Sequence, residues 1–331
     1  MAAKAAGGSR RASACLDVEI SPPWPYRLPA GGGGDAVMRV RGGIVTRLLH
    51  VEGRPAVVRA AQRRDGTVLM RAEADSEEDR ERAIERMRFA LGVDDDYREV
   101  YETFRSDRLF GSAIRQKPWH RPRRRPWAWE ALAWSITKQL IESGRAAAIQ
   151  RRMVFRWGVT HEDADGLTLR DVPSSELIAG RAPAELAARD LSAARALAMI
   201  RVAREVADGR VDPADTADDH RLLRIREIGP WTIQCLGLYG RGEPDSLPAG
   251  DLGYIKLVGR LAGLGRRATI EEVEEFFRPY EPFRGLAGDF MLFAHHKAIA
   301  QGPPLRMAVS RLTSPSSTDS PMLGPSKPMP G

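Results

Sequence analysis

Residues 221–261 read RLLRIREIGPWTIQCLGLYGRGEPDSLPAGDLGYIKLVGRL, and they hold the types and spacings best suited to chemistry. Gly229-Pro230 stops one helix and opens another, since proline suits a first helical turn, where its missing N–H is not needed. Amides at such a helix start have no intrahelical partner. They face outward and can hold a phosphate without any positive side chain. A contact of that kind is blind to base sequence. The turn PDSLPAGD then delivers Asp251 to the start of a further helix, LGYIKLVGRL. Alone, an aspartate there is an ordinary N-cap. Set about twenty residues beyond a phosphate-holding turn, its carboxylate is also suited to stabilising a developing positive charge and orienting a water.

The rest of the composition narrows the chemistry. Cys15 and Cys235 are the only cysteines in 331 residues, so a disulfide framework and a four-cysteine zinc or iron–sulfur site are excluded. A reducing compartment fits. The net charge of +7 and a sequence pI near 9.7 are compatible with a polyanionic partner. No apolar run approaches the ~18 residues of a membrane span. The start, MAAKAAGGSRRASACLD, lacks the apolar middle of a secretory signal. A soluble, cytoplasmic protein is the expectation.

Several elements must position these residues. Residues 1–13 read as a disordered start. From about Leu16 to Ala74, AVMRV, GIVTRLLHV, PAVVRAAQ and TVLMRAEA read as antiparallel strands separated by GG, EGR and RRDG turns. SEEDRERAIERMRFALG opens with a capping-box pattern at Ser76 and Asp79 and presents Ala83, Met87, Phe89 and Leu91 as its apolar face. From Ser76 to Ala300 the chain reads as almost purely helical. HRPRRRPW, at 120–127, reads either as a solvated connector or as a strip of arginines on phosphate. In the helix through WEALAWSITKQL, one face carries Ala131, Trp134 or Ser135, and Lys138. Another carries Leu132, Ile136 and Leu140. The expected class is α+β: a small N-terminal antiparallel sheet domain with helices at 14–115, a helical body with a central cleft at 116–302, and a disordered Pro/Ser-rich tail at 303–331.

IREIGPWTIQCLGLYG followed by DSLPAGDLGYIK resembles the helix-hairpin-helix–Gly/Pro–Asp superfamily of DNA glycosylases, most of all its 3-methyladenine DNA glycosylase II branch. WEALAWSITKQLIESGRAAAIQRRMVFRWG and DLSAARALAMIRVAREVADG are similar to the helices that precede the family hairpin, and the likeness runs over roughly 15–300. The resemblance implies a base-excision glycosylase that flips a damaged base, an alkylated purine above all, out of duplex DNA and hydrolyses its N-glycosidic bond. Asp251 would be the essential carboxylate. Gly229, Trp231 and Thr232 would give backbone contacts to phosphate. Leu140, beside Gln139, would be the wedge that fills the vacated stack, or else a core residue of its helix. Trp231 would line the base pocket, or else pack in a core. The carbonyls of Leu223, Ile225 and Ile228 would hold a sodium or potassium ion.

Bifunctional members of the superfamily carry a hairpin lysine that forms a Schiff base. Here Trp231 fills that place, and the lysine nearest Asp251 in sequence is Lys256, so a monofunctional enzyme without lyase activity is implied. No cofactor is required, no iron–sulfur cluster is expected, and the enzyme should act as a monomer on double-stranded DNA. Two positions depart from the family pattern. Glu227 stands where the hairpin usually has glycine, and Cys235 where this branch places an aromatic. Two other readings remain: a glycosylase for deaminated or oxidised bases, and a catalytically silent DNA-binding protein.

Overall fold

The computed structural model describes residues 15–163 and 166–301. The predicted start at 1–13 and tail at 303–331 lie outside the described residues. Five antiparallel strands, β1 (Cys15–Ile20), β2 (Met38–Arg41), β3 (Ile44–Val51), β4 (Arg54–Gln62) and β5 (Val68–Glu73), form one sheet in the order β1-β5-β4-β3-β2. Two of the three predicted turns are two-residue hairpins, and the third, at 63–67, is a longer loop closed by the Arg63 amide on the Thr67 carbonyl. Gly42-Gly43 and Glu52-Gly53 all take positive φ, which matches the twist of the paired strands. Helix α1 (Glu77–Leu91) starts where the Ser76 hydroxyl accepts the Asp79 amide and ends at Gly92 with φ +65°. It buries Ala83, Ile84, Met87 and Leu91 in the core of the sheet. Phe89 does not join this face; it lies under the Arg124 guanidinium at 4.7 Å.

The helical body holds two separate cores. The first gathers α4 (Ala128–Lys138), α5 (Ser143–Trp157), α8 (Ala193–Ala207) and α10 (Pro230–Leu236), with the short α6 (Ser175–Ala179), α7 (Pro183–Ala187) and α9 (Asp219–Leu222) around them. The second gathers α11 (Leu252–Leu261), α12 (Ile270–Phe277) and α13 (Arg284–Gln301). Helices α2 (Arg98–Phe104) and α3 (Phe110–Gln116) pack in this second core through Val100, Phe110, Ala113 and Ile114, and not in the sheet. The stretch read as purely helical also contains a two-stranded sheet, β6 (Thr160–Glu162) with β7 (Thr168–Arg170). Leu169 of β7 packs on Leu48 and Val57, sealing the sheet face away from α1.

A buried charge network bolts the sheet to α4. Arg47 of β3 meets Glu130 at 2.6 Å and Asp171 at 3.5 Å, Arg125 meets Asp35 at 2.7 Å and Glu130 at 3.0 Å, and the Trp134 indole donates to Asp35. Each of these acids is shielded from water, yet each has more than one donor, as buried charges require. Among the described residues, no helix is long and apolar enough to cross a membrane.

Candidate functional site: the hairpin, the turn after α4 and Asp251

The hairpin forms as its sequence implies, with a short first helix. α9 ends at Leu222, and consecutive tight turns carry the chain to Gly229, the N-cap of α10. Beyond Leu236 the helix widens into one π turn through Arg241, closed by Gly242 at φ +77°. Glu227 sits in the turn at φ +74°, a conformation that costs a side-chain-bearing residue about 1–2 kcal/mol relative to glycine.

Two of the implied hairpin contacts change. The Thr232 amide donates to the Gly229 carbonyl at 3.0 Å, and its side chain is 1% exposed. Neither is free for phosphate, because the first turn of α10 closes on itself. Among the described residues, the amides of Gly229 and Trp231 donate no such backbone bond. Of the candidate cation ligands, the Ile225 carbonyl already accepts the Ile228 amide at 3.0 Å; those of Leu223 and Ile228 accept no backbone bond among the described residues.

The turn after α4 settles where Leu140 stands. Leu132 and Ile136 are fully buried, but the helix ends at Lys138, so Leu140 does not continue their stripe. Leu140 takes φ +55° and is 103% exposed, which removes the core reading. Gln139 holds this turn against the hairpin: its amide Nε2 donates to the Glu227 carbonyl at 2.7 Å and to the Thr232 hydroxyl at 3.0 Å. Arg195 of α8 supports it from behind by donating to the carbonyls of Thr137 and Gln139. A strained, apolar tip is thus fixed by four hydrogen bonds beneath it.

Asp251 is the N-cap of α11. One carboxylate oxygen, Oδ1, accepts the Gly253 amide at 2.7 Å. The cap reading is therefore correct as far as it goes, and the second oxygen has no hydrogen bond among the described residues. Gly250 lies against Trp231, whose side-chain carbons would be 3.6–3.8 Å from any Cβ added there. Trp231 belongs to neither core cluster, and its indole N–H is buried without a partner.

Around this seam stand groups that sequence reading did not assemble. The Tyr239 hydroxyl donates to Asp289 at 3.3 Å, and Asp289 also meets His120 Nε2 at 2.6 Å. The His120 ring stacks on Phe293 with centroids 4.1 Å apart. The Tyr254 hydroxyl is buried near that of Tyr239, and burial, with the carboxylates of Asp289 and Asp251, pushes its pKa upward. Lys138 ends α4 with its ammonium 5.7 Å from the centre of the Tyr239 ring. Its place on the face of Ala131, Trp134 and Ser135 was the available signal, since that face proves buried. Two concavities, of about 220 and 720 Å³, lie elsewhere and do not include Asp251.

The arginine strip is structural. Arg121 is buried and donates to the carbonyls of Gly92, Pro118, His120, Pro25 and Asp95. Arg124 pairs with Asp95, and Arg125 with Asp35 and Glu130; of the four arginines only Arg123 is exposed.

No family model matches the chain. The DNA-3-methyladenine glycosylase of Bacillus subtilis (strain 168) is 25% identical over 214 residues, which cover 63% of this chain and 70% of that protein. The probable bifunctional transcriptional activator/DNA repair enzyme AlkA of Mycobacterium tuberculosis (strain ATCC 25618 / H37Rv) is 26% identical over 229 residues, 67% of this chain but 44% of that longer protein. Among solved structures, a 3-methyladenine DNA-glycosylase from Archaeoglobus fulgidus superposes with a TM-score of 0.72 at 22% identity, over 86% of this chain and 98% of that one. An 8-oxoguanine glycosylase/lyase of Clostridium acetobutylicum, in complex with double-stranded DNA containing cytosine opposite 8-oxoG, reaches 0.64 at 14% identity, over 80% and 89%. At these identities the structural likeness shows a shared fold.

Proposed function

We infer that this chain, which belongs to the helix-hairpin-helix–Gly/Pro–Asp superfamily of DNA glycosylases and to its 3-methyladenine DNA glycosylase branch, frees damaged bases, alkylated purines above all, from duplex DNA by hydrolysing the N-glycosidic bond. The observation that carries this reading is the position of Asp251: its carboxylate has one oxygen fixed by the α11 cap and the other free, one residue beyond a glycine that packs on the hairpin tryptophan.

A base inside the stack cannot present its glycosidic bond to a carboxylate, so it must first be flipped out, at a cost of a few kcal/mol. Leu140, exposed on a rigid turn, is suited to enter the gap and offset that cost. The amides of Gly229 and Trp231 would hold a phosphate while it does so. Sodium or potassium, if held by the carbonyls of Leu223, Ile225 and Ile228, would add positive charge beside that phosphate; the two open carbonyls suit it, and the third would share its oxygen with Ile228.

As the C1′–N bond breaks, its electron pair leaves with the base and positive charge grows on the sugar. The ionised Asp251 stabilises that charge and orients a water, whose oxygen bonds to C1′. A cationic alkylpurine leaves as a neutral base, and the water's proton passes to solvent. The Trp231 ring attracts such a cation. With tryptophan at the hairpin position, hydrolysis without a Schiff base is the proposed course, by a monomer on damaged double-stranded DNA. The test is release of free base from duplexes carrying a panel of defined lesions, with borohydride added in parallel. Release of N-alkylated purines without a trapped covalent species is the expected result. No release from any lesion would overturn the assignment, and a trapped species would overturn the monofunctional part of it.

A further inference from the structure

Helix α13 approaches the start of α11 so closely that the contact needs two glycines. A Cβ added at Gly288 would stand 2.9 Å from Cε1 of Tyr254 and 3.0 Å from a Leu247 methyl, and one added at Gly253 would stand 3.2 Å from both Leu292 methyls. Gly253 is the residue whose amide donates to Asp251, so Leu292 rests against the turn that aims the candidate carboxylate. Between these two contacts α13 carries Asp289. One of its oxygens accepts the Tyr239 hydroxyl at 3.3 Å, and the other meets His120 Nε2 at 2.6 Å. Tyr239 belongs to the other half of the helical body. It sits on the π turn after α10 and packs against the first core, where a Cβ on its neighbour Gly240 would be 2.8 Å from the Ala131 methyl of α4. His120 lies on the segment that leads into α4. Its ring is held on α13 by Phe293, stacked at 4.1 Å, and by Phe290, edge-on at 5.0 Å. The carboxylate and the imidazole are shielded, at 13% and 12% side-chain exposure, and hydrogen bonds kept from water in this way are electrostatically strong.

We propose that Asp289 is a positioning residue for the reaction: with Tyr239 and His120 it pins α13 to the first half of the helical body, and through Gly288 and Leu292 it sets where Asp251 stands relative to the hairpin and the wedge. The proposal rests on the glycosylase reading above. The turn that carries Asp251 reaches the first half through the contact of Gly250 with Trp231, which is apolar and non-directional. Two halves that meet through apolar contact alone can slide on it. A carboxylate held by a tyrosine hydroxyl and an imidazole fixes direction as well as distance. The chemistry needs that precision, since a displacement of about 1 Å can cost about 10²-fold in rate. The residues proposed to grip the duplex, Gly229, Trp231 and Leu140, are all on elements of the first half. Loosening the pin therefore slows base release without weakening the hold on DNA.

The experiment measures single-turnover release of 7-methylguanine from duplex DNA and, on the same preparations, affinity for an abasic duplex. Asp289→Leu keeps the bulk and removes both hydrogen bonds. Its release should fall by about 10–10²-fold while affinity stays within twofold of wild type. Asp289→Asn should bring release back to within about fivefold of wild type, because its amide oxygen still accepts the Tyr239 hydroxyl and its N–H can meet the imidazole. Tyr239→Phe should lose part of the rate by itself. Added to Asp289→Leu it should cost nothing more, since both changes remove the same bond. It also carries the test if Asp289→Leu fails to fold. Wild-type release in either Asp289→Leu or Tyr239→Phe, or rate and affinity falling together, would overturn the pin. Asp289→Asn as slow as Asp289→Leu would overturn it too, because charge rather than geometry would then be the contribution. A wild type that leaves 7-methylguanine in place would overturn the alkylpurine glycosylase reading instead.

Discussion

The two ends of α4 are built on opposite principles. At its N-terminal end Glu130 is fully buried and receives Arg47 and Arg125, so every charge is matched inside the protein. At its C-terminal end Lys138 has no carboxylate partner among the described residues, only the Tyr239 ring 5.7 Å away, and Leu140, just past the helix, has no core. One end spends its polar groups on holding the sheet to the helical body. The other leaves its apolar tip open to solvent. Groups that satisfy one another report on folding; groups left unsatisfied on a rigid support report on a ligand.

Three substitutions would break or sharpen that contrast. Glu130→Ala strikes the paired end. It takes from the guanidinium groups of Arg47 and Arg125 one of the two carboxylates each holds, and removing one partner of a buried pair costs about 3–5 kcal/mol, so the chemical-denaturation midpoint should drop sharply. A loss under 1 kcal/mol would mean that the network is not what fastens the sheet. Leu140→Ala strikes the open end. Thermal stability should hold or rise slightly, because the side chain buries nothing in the free protein. Base release from a fully paired duplex should fall tenfold or more, with a smaller fall for a lesion in a mismatch, where flipping is easier. Equal losses on both duplexes would argue against a wedge. The smallest effect belongs to Glu227→Gly. Relief of the φ +74° strain should stabilise the fold by up to about 1 kcal/mol, and loss of a carboxylate beside the proposed phosphate contact should tighten binding to undamaged DNA. Weaker binding in this variant would mean that the hairpin does not meet the DNA backbone.

Much of this arrangement was legible before any coordinates. The strand runs and their Gly-rich turns, the Ser76 cap, the Gly229-Pro230 junction and the capping position of Asp251 are local features, set by residues a few positions apart. What sequence did not reveal depends on distant partners. Arg121, Arg124 and Arg125 read as a basic strip because Gly92, Asp95 and Asp35 are far away in the chain. Leu140 continues the spacing of Leu132 and Ile136, and no glycine or proline marks the helix end before it. The hydrogen bonds from Gln139 and Arg195 hold that end, and they cross from other elements. Lys138 was read on the correct face of α4, but its approach to the Tyr239 ring is a property of the assembled fold. The contact between Gly250 and Trp231 likewise forms only once α10 and the start of α11 are brought together.

The salt dependence of DNA binding must now come from residues other than the 121–125 strip. Arg224 and Arg226, both exposed beside the hairpin, are the nearest cations to the proposed phosphate contact in sequence. Arg226 has only a 3.6 Å approach to Glu227 to hold it. Each phosphate neutralised by such a side chain adds about −0.9 to the slope of log affinity against log salt, whereas contacts through backbone amides release fewer counterions.

The most direct measurement is single-turnover release of 7-methylguanine from duplex DNA by wild type and by Asp251→Asn, with affinity for an abasic duplex measured on the same preparations. The substitution keeps a side chain able to cap α11 and removes only the charge. The account predicts near-equal affinity and a loss of release of about 10²–10⁴-fold. Release within threefold of wild type would contradict it, since the carboxylate would then be a helix cap and nothing more.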